Sequence, residues 1–157
     1  MKKILFVCTG NTCRSPMAEG LMNMIIHQTA ELKNQFIAHS VGISAFDGQT
    51  PNKNALSVLN RFWNCDIKNY KATLINSTIL EESYIILTMT KSHKDYLLNN
   101  FPLTKNKLYI LKEYIKSESF NTDISDPFCK DISIYENCAK ELYELLLDLK
   151  EILIKKI

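Results

Sequence analysis

Ile4-Leu5-Phe6-Val7 is a short run of large apolar residues that stops at Cys8, and Ser15-Pro16 follows after only six intervening residues. That order reads as buried parallel strand, tight loop and helix. Gly10 and Asn11 supply the turn chemistry. Ser15 reads as a capping hydroxyl and Pro16 as a first helical residue whose missing N–H costs nothing. A loop that ends at a helix N-terminus meets unpaired backbone N–H groups and the positive end of the helix dipole, so it is an anion site before any side chain is counted. Cys8 and Arg14 turn it into a reaction centre. A loop curled around a tetrahedral oxyanion brings the sulfur beneath it and the guanidinium beside it, where the planar fork holds two oxygens. The same surroundings favour thiolate over thiol. Taken singly, Cys8 could be a buried strand cysteine and Arg14 a surface charge. The strand, turn and helix start around them favour a sulfur nucleophile facing a bound phosphate.

The remainder of the chain alternates strands and helices. Apolar residues recur at helical spacing from Pro16 to Gln28, extending toward Leu32, and Phe36 to Val41 reads as a second strand ended by Gly42. Pro51 opens a helix that closes near Trp63, an aromatic read as packing. Cys65 to Thr73 is irregular. Tyr84 to Met89 is a strand buried on both faces, Thr90 to Asn99 a polar helix with His93 facing solvent, and Lys107 to Leu111 a fourth strand followed by a turn or two of helix. The last helix runs from Ile132 to Lys155, with Ile134, Cys138, Leu142, Leu145, Leu146, Leu149, Ile152 and Leu153 on one face. This predicts an α/β fold, a single domain over residues 1–157, with a four-stranded parallel sheet and helices on both faces. The active loop then lies at the carboxyl end of the sheet, where such folds bind ligands.

Composition narrows the function. The first apolar run is too short for the core of a secretory signal, and no stretch approaches membrane-spanning length; a cytoplasmic protein that does not enter a membrane is expected. Five cysteines form neither a paired CxxC nor a Cys/His arrangement, which argues against a structural zinc site or a disulfide framework. A net charge of +2 without a basic stripe argues against a nucleic-acid partner. No metal and no cofactor is called for.

The Cys8 to Ser15 loop is similar to the phosphate-binding loop of the low-molecular-weight protein tyrosine phosphatases, whose signature is Cys, five residues, Arg, Ser, with Gly and Asn inside. The likeness continues through Pro16-Met17-Ala18-Glu19-Gly20 and returns at Asp126-Pro127, so it covers nearly the whole chain. It implies a phosphotyrosine protein phosphatase I-like fold, a phosphorylated protein as substrate, a monomer, and a phosphate cradle made of Thr9, Gly10, Asn11, Thr12, Cys13 and Arg14. It also implies that Ser40 supports the loop by bonding Asn11, and that Ser15 donates to the sulfur as phosphate departs. A histidine that often joins this network is absent between His39 and His93; either Asn69 takes its place or the network is shorter. A phosphocysteine cycle needs a proton donor for the leaving group and then a base for water, and one carboxyl can serve both. Pro127 holds the residue before it extended, and the family's Asp-Pro pair has that role, so Asp126 is the candidate and Asp123 the fallback. Cys13 corresponds to a second cysteine that can trap an oxidised nucleophile as a disulfide.

Thr12 bears on the substrate. Tyrosine-specific members usually carry a bulky aliphatic residue there, whereas a bacterial subgroup of protein arginine phosphatases has threonine, and Thr88-Met89-Thr90 and Leu111-Lys112-Glu113-Tyr114 also look like that subgroup. A small polar residue leaves less apolar surface for a phenol ring and more room for a guanidinium, which Asp126 could pair. The subgroup commonly has glycine where this chain has Cys129. Phosphoarginine is therefore favoured over phosphotyrosine. Two rivals remain: an arsenate reductase, which would need two further cysteines in the Leu87 to Asn100 segment where none occurs, and a phosphate-binding module without catalysis, which would need neither Cys8 nor Asp126.

Overall fold

The computed structural model describes residues 1–116 and 120–157. Its single sheet has four strands, β1 (Lys2–Cys8), β2 (Phe36–Gly42), β3 (Ser83–Thr88) and β4 (Leu108–Ile110), all parallel in the order β2-β1-β3-β4. Parallel neighbours cannot be joined by hairpins. The crossovers are made by α1 (Arg14–Gln28), α2 (Lys53–Trp63), α3 (Ser77–Glu82) and α4 (Lys91–Asn100), and α5 (Leu111–Ile115) and α6 (Ile132–Ile154) complete the chain. Central β1 bonds β2 from Lys2 to Cys8 on one side and β3 on the other, with a register shift at Lys3/Ile4.

Side chains alternate across β1, so it feeds two cores at once. Ile4, Phe6 and Cys8 join Met17, Leu21 and Ile25 of α1, Leu59 of α2 and Leu142, Leu146 and Leu149 of α6. Leu5 and Val7 face the other way, toward Ile75, Leu80 of α3 and Leu97 of α4. Both faces of the sheet are covered by helices, as the alternating pattern of the sequence implies.

The differences from the sequence reading are local. α1 begins at Arg14, and its N-cap, Cys13, makes no side-chain cap; Ser15 lies inside the first turn, fully buried, with its hydroxyl used elsewhere. The helix ends at Gln28, and residues 29–35 turn back through bonds such as Leu32 N–H to Thr29 O. α2 starts at Lys53 because the Asn52 side chain accepts from Asn54 N–H. α3 was not anticipated; the Asn76 side chain caps it by accepting from Ile79 N–H. Leu111 leaves the last strand and opens α5. On α6, Ile134 is exposed and Tyr135 takes the core position.

Candidate active site

β1 delivers Cys8 to the rim of the sheet, and the loop after it is tied down from outside. Cys8 O accepts from Ile43 N–H at 3.0 Å, Thr9 O from Ser44 N–H at 2.9 Å and Thr12 O from Asn52 N–H at 2.8 Å. With those carbonyls engaged by the β2–α2 connection, the first N–H groups of α1, which an α-helix leaves without intrahelical partners, remain to receive an anion. Gly42 permits this approach: a Cβ there would sit 2.5 Å from Thr9 O and 2.9 Å from Asn11 N.

Asn11 is the keystone behind the loop. Its φ of 56° is left-handed, a conformation asparagine tolerates better than most residues. Its Nδ2 donates to Ser15 Oγ and to Ser40 Oγ, both at 2.8 Å, and its Oδ1 accepts from Thr73 N–H at 2.9 Å. Ser40 in turn donates to Glu19 Oε2. Burial pushes the Glu19 carboxyl up to about 7 against the Ser40 bond, which pulls the other way. The backbone of Thr73 and the side chain of Glu19 thus complete the network, and Asn69 is exposed and outside it. Neither Thr73 nor Glu19 was singled out in the sequence, because one acts through its backbone and the other is a charged residue on a helix.

Cys8 Sγ lies 2.9 Å from Ser15 Oγ and receives Asn11 N–H at 3.3 Å. Arg14 is 4% exposed; its Nη1 donates to Ile124 O at 3.0 Å and its Nη2 lies 3.3 Å from Asp126 Oδ2. Asp126 Oδ1 accepts from Phe128 N–H at 3.1 Å, an Asx turn that fixes the carboxylate on its loop. Asp123 faces elsewhere: its Oδ1 accepts from Lys91 N–H at 2.8 Å, at the start of α4.

A cleft of about 260 Å³ is lined by Cys8, Thr9, Gly10, Thr12, Cys13, Arg14 and Asp126, with Ser44, Phe46, Gln49 and Phe128 around its mouth. The structure therefore brings the expected nucleophile, cradle and carboxyl together, and it places Asn11, Ser15 and Ser40 behind the loop rather than in the cleft. Phe46 and Phe128 are 78% and 56% exposed. Both rings thus add apolar surface beside the cleft, which only the fold reveals for Phe46.

Three further cysteines lie on the elements around the cleft. Cys13 Sγ lies 3.3 Å from the buried Tyr135 hydroxyl and 3.7 Å from Thr12 Oγ1, and burial holds its thiol above the usual range. Cys138 is pushed up to about 12 by burial. Cys129 turns the chain after Phe128 with φ 60°, a conformation that glycine adopts without strain.

His93 corrects the sequence reading. It is 3% exposed, not solvent-facing, and its Nε2 lies 2.9 Å from Thr9 Oγ1. Burial first, then the nearby Arg14 charge, push its pKa down to about 4. The polar run Lys91-Ser92-His93-Lys94-Asp95 reads as a solvated face, but Thr90 caps α4 and turns this one side chain inward onto a loop far away in sequence.

The low molecular weight phosphotyrosine protein phosphatase family model matches residues 3–157. A protein-arginine-phosphatase from Bacillus subtilis (strain 168) is 34% identical over 143 residues, covering 91% of this chain and 91% of its own. The crystal structure of a low molecular weight protein tyrosine phosphatase from T. tengcongensis superposes with a TM-score of 0.89 at 34% identity, covering 96% of this chain and 99% of that one. A variant of the YwlE arginine phosphatase with a phosphorylated active-site serine superposes with a TM-score of 0.88 at 31% identity, covering 96% and 95%. Likeness of sequence and fold over nearly the full length thus agrees with a strand-borne cysteine under a helix N-terminus, and the chain belongs to the low molecular weight phosphotyrosine protein phosphatase family, as a cysteine-dependent protein phosphatase.

Proposed function

We propose that this chain removes the phosphoryl group from phosphoarginine side chains of proteins. The observation that carries the reading is that Thr12 and Asp126 line one cleft. Thr12 offers a small side chain with a hydroxyl where a bulky aliphatic residue would close on a phenol ring. Asp126 already stands 3.3 Å from one guanidinium, that of Arg14, and its side chain is half exposed to the cleft, open to a second. The likeness to arginine phosphatases supports the same substrate class.

In the proposed cycle Cys8 thiolate attacks phosphorus in line and the P–N bond breaks. The loop amides and Arg14 stabilise charge on the equatorial oxygens, and Asp126 protonates the leaving nitrogen. Water then attacks the phosphocysteine with Asp126 as base, the S–P bond breaks, and inorganic phosphate leaves as Ser15 donates to the departing sulfur. Positive charge comes from arginine and backbone dipoles, so the cycle calls for no metal. The proposal takes the substrate to be a phosphorylated protein met in the cytoplasm by a single copy of the chain. Among the described residues, no helix is long and apolar enough to cross a membrane.

Phosphotyrosine is the second reading, and the exposed rings of Phe46 and Phe128 at the cleft mouth favour it. Paired turnover of a phosphoarginine and a phosphotyrosine peptide by the reduced protein decides between them, with Cys8→Ser as the blank. The expected result is preference for phosphoarginine that moves toward phosphotyrosine in Thr12→Ile. Preference for phosphotyrosine in the unaltered protein overturns the proposal.

A further inference from the structure

The junction between β3 and α4 touches both halves of the site. Met89 O accepts from Ile124 N–H at 2.9 Å, and Lys91 N–H donates to Asp123, so the segment before Asp126 hangs from this junction. Ile124 O also receives Arg14 Nη1. Two residues past Lys91, His93 reaches the phosphate loop at Thr9 Oγ1. Thr9 is gripped on its other side as well, where its carbonyl accepts from Ser44 N–H.

The hydrogen-bond inventory fixes the direction of the His93 bond. The ring's Nδ1 is buried and has no partner among the described residues. A neutral imidazole carries one N–H. Placing it on Nδ1 would orphan a buried donor, whereas placing it on Nε2 uses the donor on Thr9 and leaves only a bare lone pair. Orphaned buried donors are the rarer arrangement in folded proteins. With Nε2–H donating, the Thr9 hydroxyl proton is free to point into the cleft that Thr9 lines.

We propose that His93 is a positioning residue for the phosphate loop: its Nε2–H holds the Thr9 hydroxyl, and through it the peptide after Cys8, against the element that also carries the Asp126 loop. The inference rests on reading the Cys8–Arg14 loop as the phosphate site, and it adds a residue outside the loop that sets the loop's spacing from the acid. One neutral hydrogen bond is involved, so the effect is moderate.

The test is a double-mutant cycle on the full chain, using His93→Leu, Thr9→Val and their combination, with His93→Gln as the conservative variant. It is read by the inhibition constant of inorganic phosphate, by kcat/KM for an aryl phosphate and by the thermal midpoint. Each single variant is expected to weaken phosphate and lower kcat/KM by about three- to tenfold, the double variant to be no worse than either single, and His93→Gln, whose side-chain amide can donate from a similar place, to recover most of the loss. Nitrogen-15 spectra of the imidazole are expected to show the Nε2–H form at neutral pH. Additive losses, an unaltered phosphate constant in Thr9→Val, or an Nδ1–H ring each overturn the inference. If His93→Leu does not fold, the imidazole spectrum of the unaltered protein and the phosphate constant of Thr9→Val can each still overturn it. Turnover that persists in Cys8→Ser would instead sink the functional reading, so the two failures are distinct.

Discussion

One Asp126 carboxylate meets two donors, the Arg14 guanidinium at Oδ2 and the Phe128 amide at Oδ1, and the first belongs to the phosphate cradle while the second belongs to its own loop. The carboxylate is thereby held in the wall of the cleft that Cys8 also lines. In Asp126→Ala, kcat is expected to fall by about 10²- to 10⁴-fold, the range of a lost general acid and base, and the fall should shrink for aryl phosphates whose leaving groups need no proton. An equal fall for good and poor leaving groups would show that Asp126 serves Arg14 only. At this scale the sequence was readable where chemistry is local. The resemblance of Asp126-Pro127 to the family's Asp-Pro pair put Asp126 ahead of Asp123, and the structure has Asp123 occupied by Lys91 N–H. His93 was unreadable because its hydrogen-bond partner, Thr9, stands 84 residues away in sequence, which no periodicity along α4 can report.

Elements were legible wherever a long run of one period was present, and less so where a single side chain sets a boundary. α6 and β1 stand nearly where their patterns put them, whereas the six-residue α3 depends on one Asn76 side chain and was missed. Ser15 failed as a cap for a related reason: the loop closes so tightly that Arg14 is already helical, and the hydroxyl is drawn to Cys8 and Asn11. The junction of β2 with the loop offers a test of this tightness. In Gly42→Ala the new methyl would overlap Thr9 O, Asn11 N and the Ala45 Cβ. A cost of about 1–3 kcal/mol in denaturant unfolding is expected, together with reduced turnover because the loop itself must shift. Gly48→Ala, at φ +86° with nothing within 4 Å of its Cβ, is expected to cost about 1 kcal/mol through backbone strain alone and to leave turnover unchanged. Equal turnover in both variants would disprove the claim that Gly42 sets the loop.

For the whole molecule, two buried groups pull the pH dependence of stability in opposite directions. His93 takes its proton near pH 6.5 when unfolded and only near 4 in the fold, so the unfolded chain binds more protons between these values and stability rises with pH there. Glu19 runs the other way: the fold keeps its proton up to about 7 against 4.5 unfolded, so its contribution is complete below 4.5 and is lost as pH rises through 7. Each amounts to at most about 3 kcal/mol, and across pH 4.5 to 6.5 they largely cancel. Glu19→Gln is expected to climb in stability from pH 4.5 to 6.5 more steeply than the unaltered protein, and His93→Gln to decline over the same range. Urea midpoints at three pH values read this directly, and parallel profiles for all three proteins would refute it.

The central place of β1 has a consequence for how the molecule opens. Its amides are bonded on both edges and packed on both faces, so the strand that presents Cys8 exchanges its hydrogens only when the whole fold unravels. The 123–130 segment is anchored at one end, where Ile124 is buried in the core and Met89, Lys91, Lys112 and Arg14 hold its backbone and Asp123, while beyond Ile124 it is largely exposed and can open at smaller free energy. Exchange rates should therefore divide the site into a fast half and a slow half. In mild denaturant, sulfur phosphorylation by a substrate with a good leaving group should outlast its hydrolysis, and the protein should accumulate as the phosphorylated thiol.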